Sequence, residues 1–262
     1  MKIITYYDDY RFHDACGMLE KTLRHWRPCH NLTVYRTLPA GCPTHSQSPY
    51  AFKPHLLDYE RRQGTKLILW TDTSIRFMCP PGWIVDAIRT HGILLIEDSD
   101  QLMRCWISDR ALSYFGLNRS DLGARNSLLA GVLGMDFRRD VANSFLDAWL
   151  AAEKAGMFVG DWDNTNRCVS EDASVKGHRH DQSCAGAIAV RIGIDCLSST
   201  DMGVATWPCH STACGRARII IDRSCCCPAV SGMLASRTGR LKQHIRMSPS
   251  LLPPSSRSYY GY

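Results

Sequence analysis

The sequence predicts an α/β fold, with a mixed, mainly parallel sheet covered by helices, and three observations carry that reading. Short β-rich or wholly apolar runs alternate with helix-period segments as far as Arg191. The 262 residues, 45% hydrophobic and 21% charged, are enough to bury a core in one or two domains. From Ser198 the composition turns rich in Ser, Pro and Cys and lacks Glu, Asn and Phe. Residues 1–197 are therefore expected to form the folded body. Residues 198–262 read as a poorly ordered basic tail, of a composition that a frame-shifted reading frame would give.

Ile3 to Tyr7 is a short β-rich run, and Phe12, Ala15, Cys16, Leu19, Leu23 and Trp26 then recur at helical spacing until Pro28. Leu32 to Tyr35 is a second strand, and the proline-rich stretch from Leu38 to Pro49 is loop. Phe52, Leu56 and Tyr59 mark a helix that Gly64 ends, and Leu67-Ile68-Leu69-Trp70 reads as a strand buried on both faces. Pro80-Pro81 opens a helix through Trp83, Ile84, Ala87 and Ile88, which Gly92 closes. Ile93 to Ile96 is one apolar strand, Ser108 caps a short helix through Leu112 and Phe115, and Leu128 to Phe137 contains a strand. Val141, Phe145, Ala148, Trp149 and Ala152 trace one helix face up to Gly156. After a polar loop, Asp181 is placed to cap a helix from Gln182 to Arg191.

The formal charge of +6 lies in the tail, where residues 198–262 hold 8 Lys/Arg against 2 Asp/Glu. A neutral body argues against nucleic-acid binding, since nonspecific affinity scales with the phosphates neutralised. Seven cysteines without paired spacing in residues 1–195 suit free thiols and a reducing compartment. No stretch is long and apolar enough for a signal or membrane span, so a cytoplasmic chain, at most peripheral to a membrane, is expected.

No phosphate-loop, dinucleotide, serine-elbow or zinc-helix motif is present. Three places remain where chemistry can sit. Asp72 follows the central strand, fixed by the sheet and open to a crevice, which suits a divalent metal or a diphosphate. Ser74 would add a weak oxygen ligand, and Lys53 and Arg76 would offset phosphate charge. Asp98 and Asp100, after the next strand, form the competing metal site. Third, His178, Arg179, His180 and Asp181 crowd a helix start, where backbone N–H groups favour a phosphate, a metal or a sugar hydroxyl. Trp162, between Asp161 and Asp163, offers a face for a sugar. A zinc module built on Cys209, His210, Cys214 and Cys225 to Cys227 is the reading from another class, but its spacing fits no standard finger.

Three ordered segments resemble nucleotide-sugar-dependent glycosyltransferases of the GT-A type: Phe52-Lys53-Pro54, Leu69-Trp70-Thr71-Asp72-Thr73-Ser74-Ile75-Arg76-Phe77, and Gly177-His178-Arg179-His180-Asp181-Gln182-Ser183. The run Ala130 to Phe137 and the Trp149 helix add to the likeness, which covers residues 1–197. It implies a Rossmann-like sheet that binds a nucleoside diphosphate sugar, with a glycan or other hydroxyl acceptor as second substrate. It also implies Mn²⁺ or Mg²⁺ held by an Asp-x-Asp motif whose first position is Asp72 and whose second is replaced by Ser74. Asp181, with His180 and Gln182 beside it, would lie near the reacting sugar. Asp181, or else Asp163 or Glu171, would take the acceptor proton in an inverting reaction, while Arg76, Arg179 and His178 would stabilise the leaving diphosphate. Ser74 in place of a carboxylate motivates a second expectation, a catalytically inactive carbohydrate- or nucleotide-binding protein on the same fold.

Overall fold

The computed structural model describes residues 1–26, 31–207 and 217–222. The first half runs β1 (Lys2–Tyr6), α1 (His13–His25), β2 (Asn31–Tyr35), α2 (Phe52–Arg62), β3 (Leu67–Thr71), β4 (Ile75–Phe77), α3 (Gly82–His91), β5 (Ile93–Leu94) and β6 (Ile96–Leu102). The second half runs α4 (Asp109–Phe115), β7 (Asn126–Leu128), β8 (Val132–Asp136), α5 (Asp140–Lys154), α6 (His180–Ile192), β9 (Leu197–Ser198), β10 (Val204–Trp207) and β11 (Ile219–Asp222).

The main sheet has the order β2-β1-β3-β8-β5. β1 pairs in parallel with β2 and β3, and β8 runs antiparallel to β3 and β5, so β8 alone is reversed. Side chains alternate across a strand, and the sheet uses both faces. Ile3, Leu69 and Val132 pack with Leu19 of α1 and Ile84 and Ile88 of α3. Ile4, Ile68, Trp70 and Leu133 pack on the other side with Leu56 of α2 and Trp149 of α5. Each fully buried aliphatic side chain contributes about 1.5–3 kcal/mol, so these two layers hold the fold.

Gly92 ends α3 in the left-handed region at φ 79°, where a side chain would also meet Val141 Cγ1 at 2.7 Å. Asp109 opens α4, with Ser108 accepting from the Ala111 N–H as its cap. The cysteines among the described residues are free thiols; Cys29 lies outside them.

Three expectations need correction. The single strand expected over Ile93 to Ile96 breaks at Leu95: β5 belongs to the main sheet, and β6 pairs with β7 and β9 in a second one. Asp98 and Asp100 therefore lie inside a strand rather than in a turn after one. The boundary expected at residue 197 falls inside β9, and β10 and β11 complete a third sheet with β4. The proposed zinc residues and residues 223–262 lie outside the described residues.

Gly134 of β8 shows how closely α3 approaches the sheet. A Cβ there would stand 2.4 Å from Ile88 Cδ1 and 3.1 Å from Leu94 Cβ. Gly134→Ala is expected to cost about 1–3 kcal/mol through overpacking, read as a lower denaturation midpoint. Adding Ile88→Val, which frees space at the contact, should recover part of the loss; an unaltered midpoint in the single variant would contradict the packing described.

Candidate functional site

β3 delivers Asp72 to the carboxyl edge of the sheet. The Asp72 backbone N–H donates to the Gly131 carbonyl (2.8 Å), so the chain entering β8 pins the residue just beyond the strand. The Trp70 indole N–H donates to Asp72 Oδ1 at 2.9 Å, and 36% of the Asp72 side chain stays exposed. Gly131 leaves the room: a Cβ on it would lie 3.0 Å from Asp72 Oδ2.

Lys53, in the first turn of α2, reaches the same point from inside. Its ammonium is buried, donates to the Ala130 carbonyl (3.0 Å), and stands 3.6 Å from Asp72 Oδ1 and 3.0 Å from Asp181 Oδ2. The Tyr50 ring lies 5.0 Å from Nζ. Asp181 comes from the first turn of α6, where the Trp149 indole N–H holds its backbone carbonyl at 3.0 Å. Three segments remote in sequence thus converge on one buried cation. Burial pushes the Asp181 carboxyl up to about 6, against the downward pull of Lys53. Burial alone would lower the Lys53 ammonium, but Asp181 and Asp72 together hold it above the ordinary lysine range.

The other expected site residues divide. His180 is buried beside Asp181, its Nδ1 at hydrogen-bond distance (2.7 Å) from the Phe158 carbonyl and its ring 5.0 Å from Trp162. Trp162 is half exposed, and Arg179 stacks its guanidinium on Trp106 (4.2 Å) nearer than on Trp162 (5.7 Å). Gln182 follows in α6 and is partly buried.

His178 is sealed in the core. Its Nδ1 accepts from the Ser108 N–H (3.2 Å) and its Nε2 faces the Met157 carbonyl (2.8 Å), so the neutral ring with Nε2 protonated satisfies both. Burial drives it down to about 4, and it presents no charge to a diphosphate. Arg76 is also turned away. It is buried in β4, donates to the Thr73 and Ile75 carbonyls, and faces Asp222 at 3.4 Å. The Ser74 carbonyl accepts from the Asp222 N–H, tying that residue to β11.

Asp181 does not cap its helix: α6 starts at His180 after Arg179, which makes no side-chain cap. Asp163 and Glu171 are exposed in the loop before α6, where Asp163 accepts from the Thr165 N–H. Asp98 sits in the second sheet, apart from β3, and the Asp100 side chain lies outside what is described.

Mn²⁺ or Mg²⁺ was expected at Asp72. The donor set does not fit a resident ion, because Asp72 already faces an ammonium, Asp181 is sealed behind it, and Ser74 replaces the second carboxylate. Among the described residues no three His, Cys, Asp or Glu gather as a metal site.

Tyr50, Phe52 and Trp106 were missed as site residues. The Phe52 ring links Tyr50 (6.0 Å) to Trp70 (5.7 Å), and through Trp70 to Asp72. Phe52 belongs to the Phe52-Lys53-Pro54 segment, but its contact with Trp70 is made only in three dimensions.

No protein-family profile and no curated protein sequence matches the chain. Among solved structures it is similar to the WbbM bifunctional glycosyltransferase in its apo form, with a TM-score of 0.51 over 85% of this chain at 10% identity. The chain has a Rossmann-like fold of the GT-A type. It spans 45% of the WbbM chain, under half of its length. It is also similar, at 10% identity over 58% of this chain and 66% of the other, to a glycosyltransferase involved in the glycosylation of the major capsid of PBCV-1, with a TM-score of 0.37. At such identities the likeness concerns the fold, and function is argued from the site. No helix among the described residues of this GT-A fold is long and apolar enough to cross a membrane.

Replacing Lys53 tests the cluster. Lys53→Met leaves two carboxylates without their cation and is expected to destabilise the chain by about 3–5 kcal/mol. Asp181 is raised in the folded state, so its contribution to stability is present at acid pH and lost as pH rises through about 6. Without the ammonium that carboxyl rises further, so the Lys53→Met loss should be larger at pH 8 than at pH 5 in denaturant melts. An equal loss at both pH values would contradict the pairing.

Proposed function

We propose that this chain transfers a glycosyl group from a nucleoside diphosphate sugar to a hydroxyl acceptor, in the crevice at the carboxyl end of β3. The observation that supports this reading best is the convergence of Asp72 and Asp181 on Lys53, at the sheet edge where α/β folds take ligands.

The roles follow from exposure. Asp72 is the carboxylate open to solvent, with Oδ1 held by Trp70 and Oδ2 beside Gly131. It meets the substrate hydroxyls as a hydrogen-bond acceptor, and in an inverting transfer takes the acceptor's proton. Lys53 is too buried to touch a diphosphate. Its charge offsets Asp72, so that an anionic donor can approach a strand end that a bare carboxylate would guard. Asp181 holds Lys53 from behind and is a positioning residue. Breaking the anomeric bond builds negative charge on the diphosphate, and groups that meet this charge more strongly than the ground state lower the barrier. Arg179, whose guanidinium lies 5.7 Å from the Trp162 ring, is the cation we assign to this charge.

A nucleoside diphosphate sugar at about 100 times its Kd should stabilise the chain by about 2.7 kcal/mol, a rise of several degrees in Tm. Asp72→Asn should weaken that binding by about tenfold or more, as expected for loss of a charged hydrogen-bond acceptor. A panel of uridine, guanosine, cytidine and thymidine diphosphate sugars without any shift would refute the assignment. The shift is expected to persist in excess EDTA; a response that appears only with Mn²⁺ or Mg²⁺ would return the metal to Asp72.

A further inference from the structure

We propose that the aromatic strip His45–Tyr50–Trp162, set beside the Lys53 cluster, is a subsite for a pyranose ring of a glycan acceptor. The inference rests on the transferase reading and names the acceptor's class. Tyr50 stands 4.8 Å from His45 and 5.8 Å from His180, and His180 stands 5.0 Å from Trp162, so rings from two loops and a helix start form one continuous series of contacts. His45 and Trp162 are exposed, Tyr50 is half-buried, and His180 joins them from beneath. Tyr50, between His45 and His180 in this series, is the ring that lies 5.0 Å from the Lys53 ammonium, which in turn stands 3.6 Å from Asp72.

Backbone conformation marks the same place. Tyr50 (φ 62°) and His180 (φ 45°) occupy the left-handed region, which costs a non-glycine residue about 1–3 kcal/mol and gathers at ligand sites. Two such residues pack ring to ring here.

Trp162 is exposed on a fixed loop. The Asn164 side chain accepts from the Val169 and Ser170 N–H groups and donates to the Ser170 carbonyl. The His178 N–H donates to the Asp161 carbonyl (2.8 Å). Gly177 lies so close that a Cβ on it would stand 2.0 Å from the Trp162 carbonyl oxygen. A large ring held rigid yet half in water is preorganised for a partner. An exposed indole with exposed aspartates next to it in sequence, Asp161 and Asp163, fits a pyranose, whose C–H face stacks on the ring while its hydroxyls need acceptors close by.

Saturation-transfer NMR on the full chain tests this with gluco-, galacto-, manno- and N-acetylglucosamine-containing oligosaccharides, with and without UDP. At least one is expected to receive saturation on its ring C–H protons, with affinity reduced about tenfold in Trp162→Ala and retained in Trp162→Phe. Transfer to none of them, or transfer that Trp162→Ala leaves undiminished, overturns the subsite. Displacement of the sugar by UDP also overturns it, because the strip would then hold the base. The nucleotide-sugar thermal shift, read on the same samples, separates the two levels. A shift without glycan binding removes only the subsite, whereas no shift removes the transferase reading.

Discussion

A lysine ammonium buried between two carboxylates is costly unless every partner is in place, and that condition ties the molecule together. Lys53 extends from α2, Asp72 from the end of β3 and Asp181 from the first turn of α6, with Ala130 before β8 supplying a carbonyl. The buried pair, Lys53 and Asp181, is not satisfied until the main sheet has formed and both helices have docked on it. The desolvation penalty of a buried ion is several kcal/mol, and the remaining partners offset it only in this arrangement. The cluster is therefore a statement about global packing made at one point. It also sets which carboxylate meets solvent: Asp72 in front, Asp181 behind.

Much of the fold was legible because its elements follow simple periods. Leu67 to Trp70 is apolar without interruption and, from Ile68 on, lies buried in the middle of the sheet, and Gly92 stops α3 in the left-handed conformation that glycine takes without strain. The break at Leu95 was not legible. Four apolar residues in a row look like one strand, and only partners remote in sequence, Met135 for Ile93 and Leu197 for Ile96, assign the two halves to different sheets. The Ile219–Ile221 run is apolar enough to read as a strand, but its place in a sheet rests on pairing with Ile75 to Phe77, remote in sequence, which composition cannot reveal.

The candidate site was legible in its membership more than in its roles. Asp72, Lys53 and Asp181 were each singled out, and they meet. Their charges were read as facing a ligand, yet two of the three face each other. His178 shows why density of titratable groups misleads. Between Gly160, which leaves space for its ring, and the carbonyl of Met157, a neutral imidazole is a packing piece with two hydrogen bonds. Arg76 likewise satisfies carbonyls of its own turn. Sequence marks a polar residue near a strand end; whether it points to water or to the core depends on β8 and β11, which arrive much later in the chain.

The central claim is that Asp181 shares the Lys53 cation with Asp72 in a buried setting. Site-resolved ¹³C NMR of the aspartate carboxyls across pH measures it directly. The account predicts that Asp181 titrates near 6, above the ordinary aspartate range, and moves higher still in Lys53→Met. An Asp181 that titrates at the ordinary value of about 4 and ignores the loss of Lys53 would contradict it.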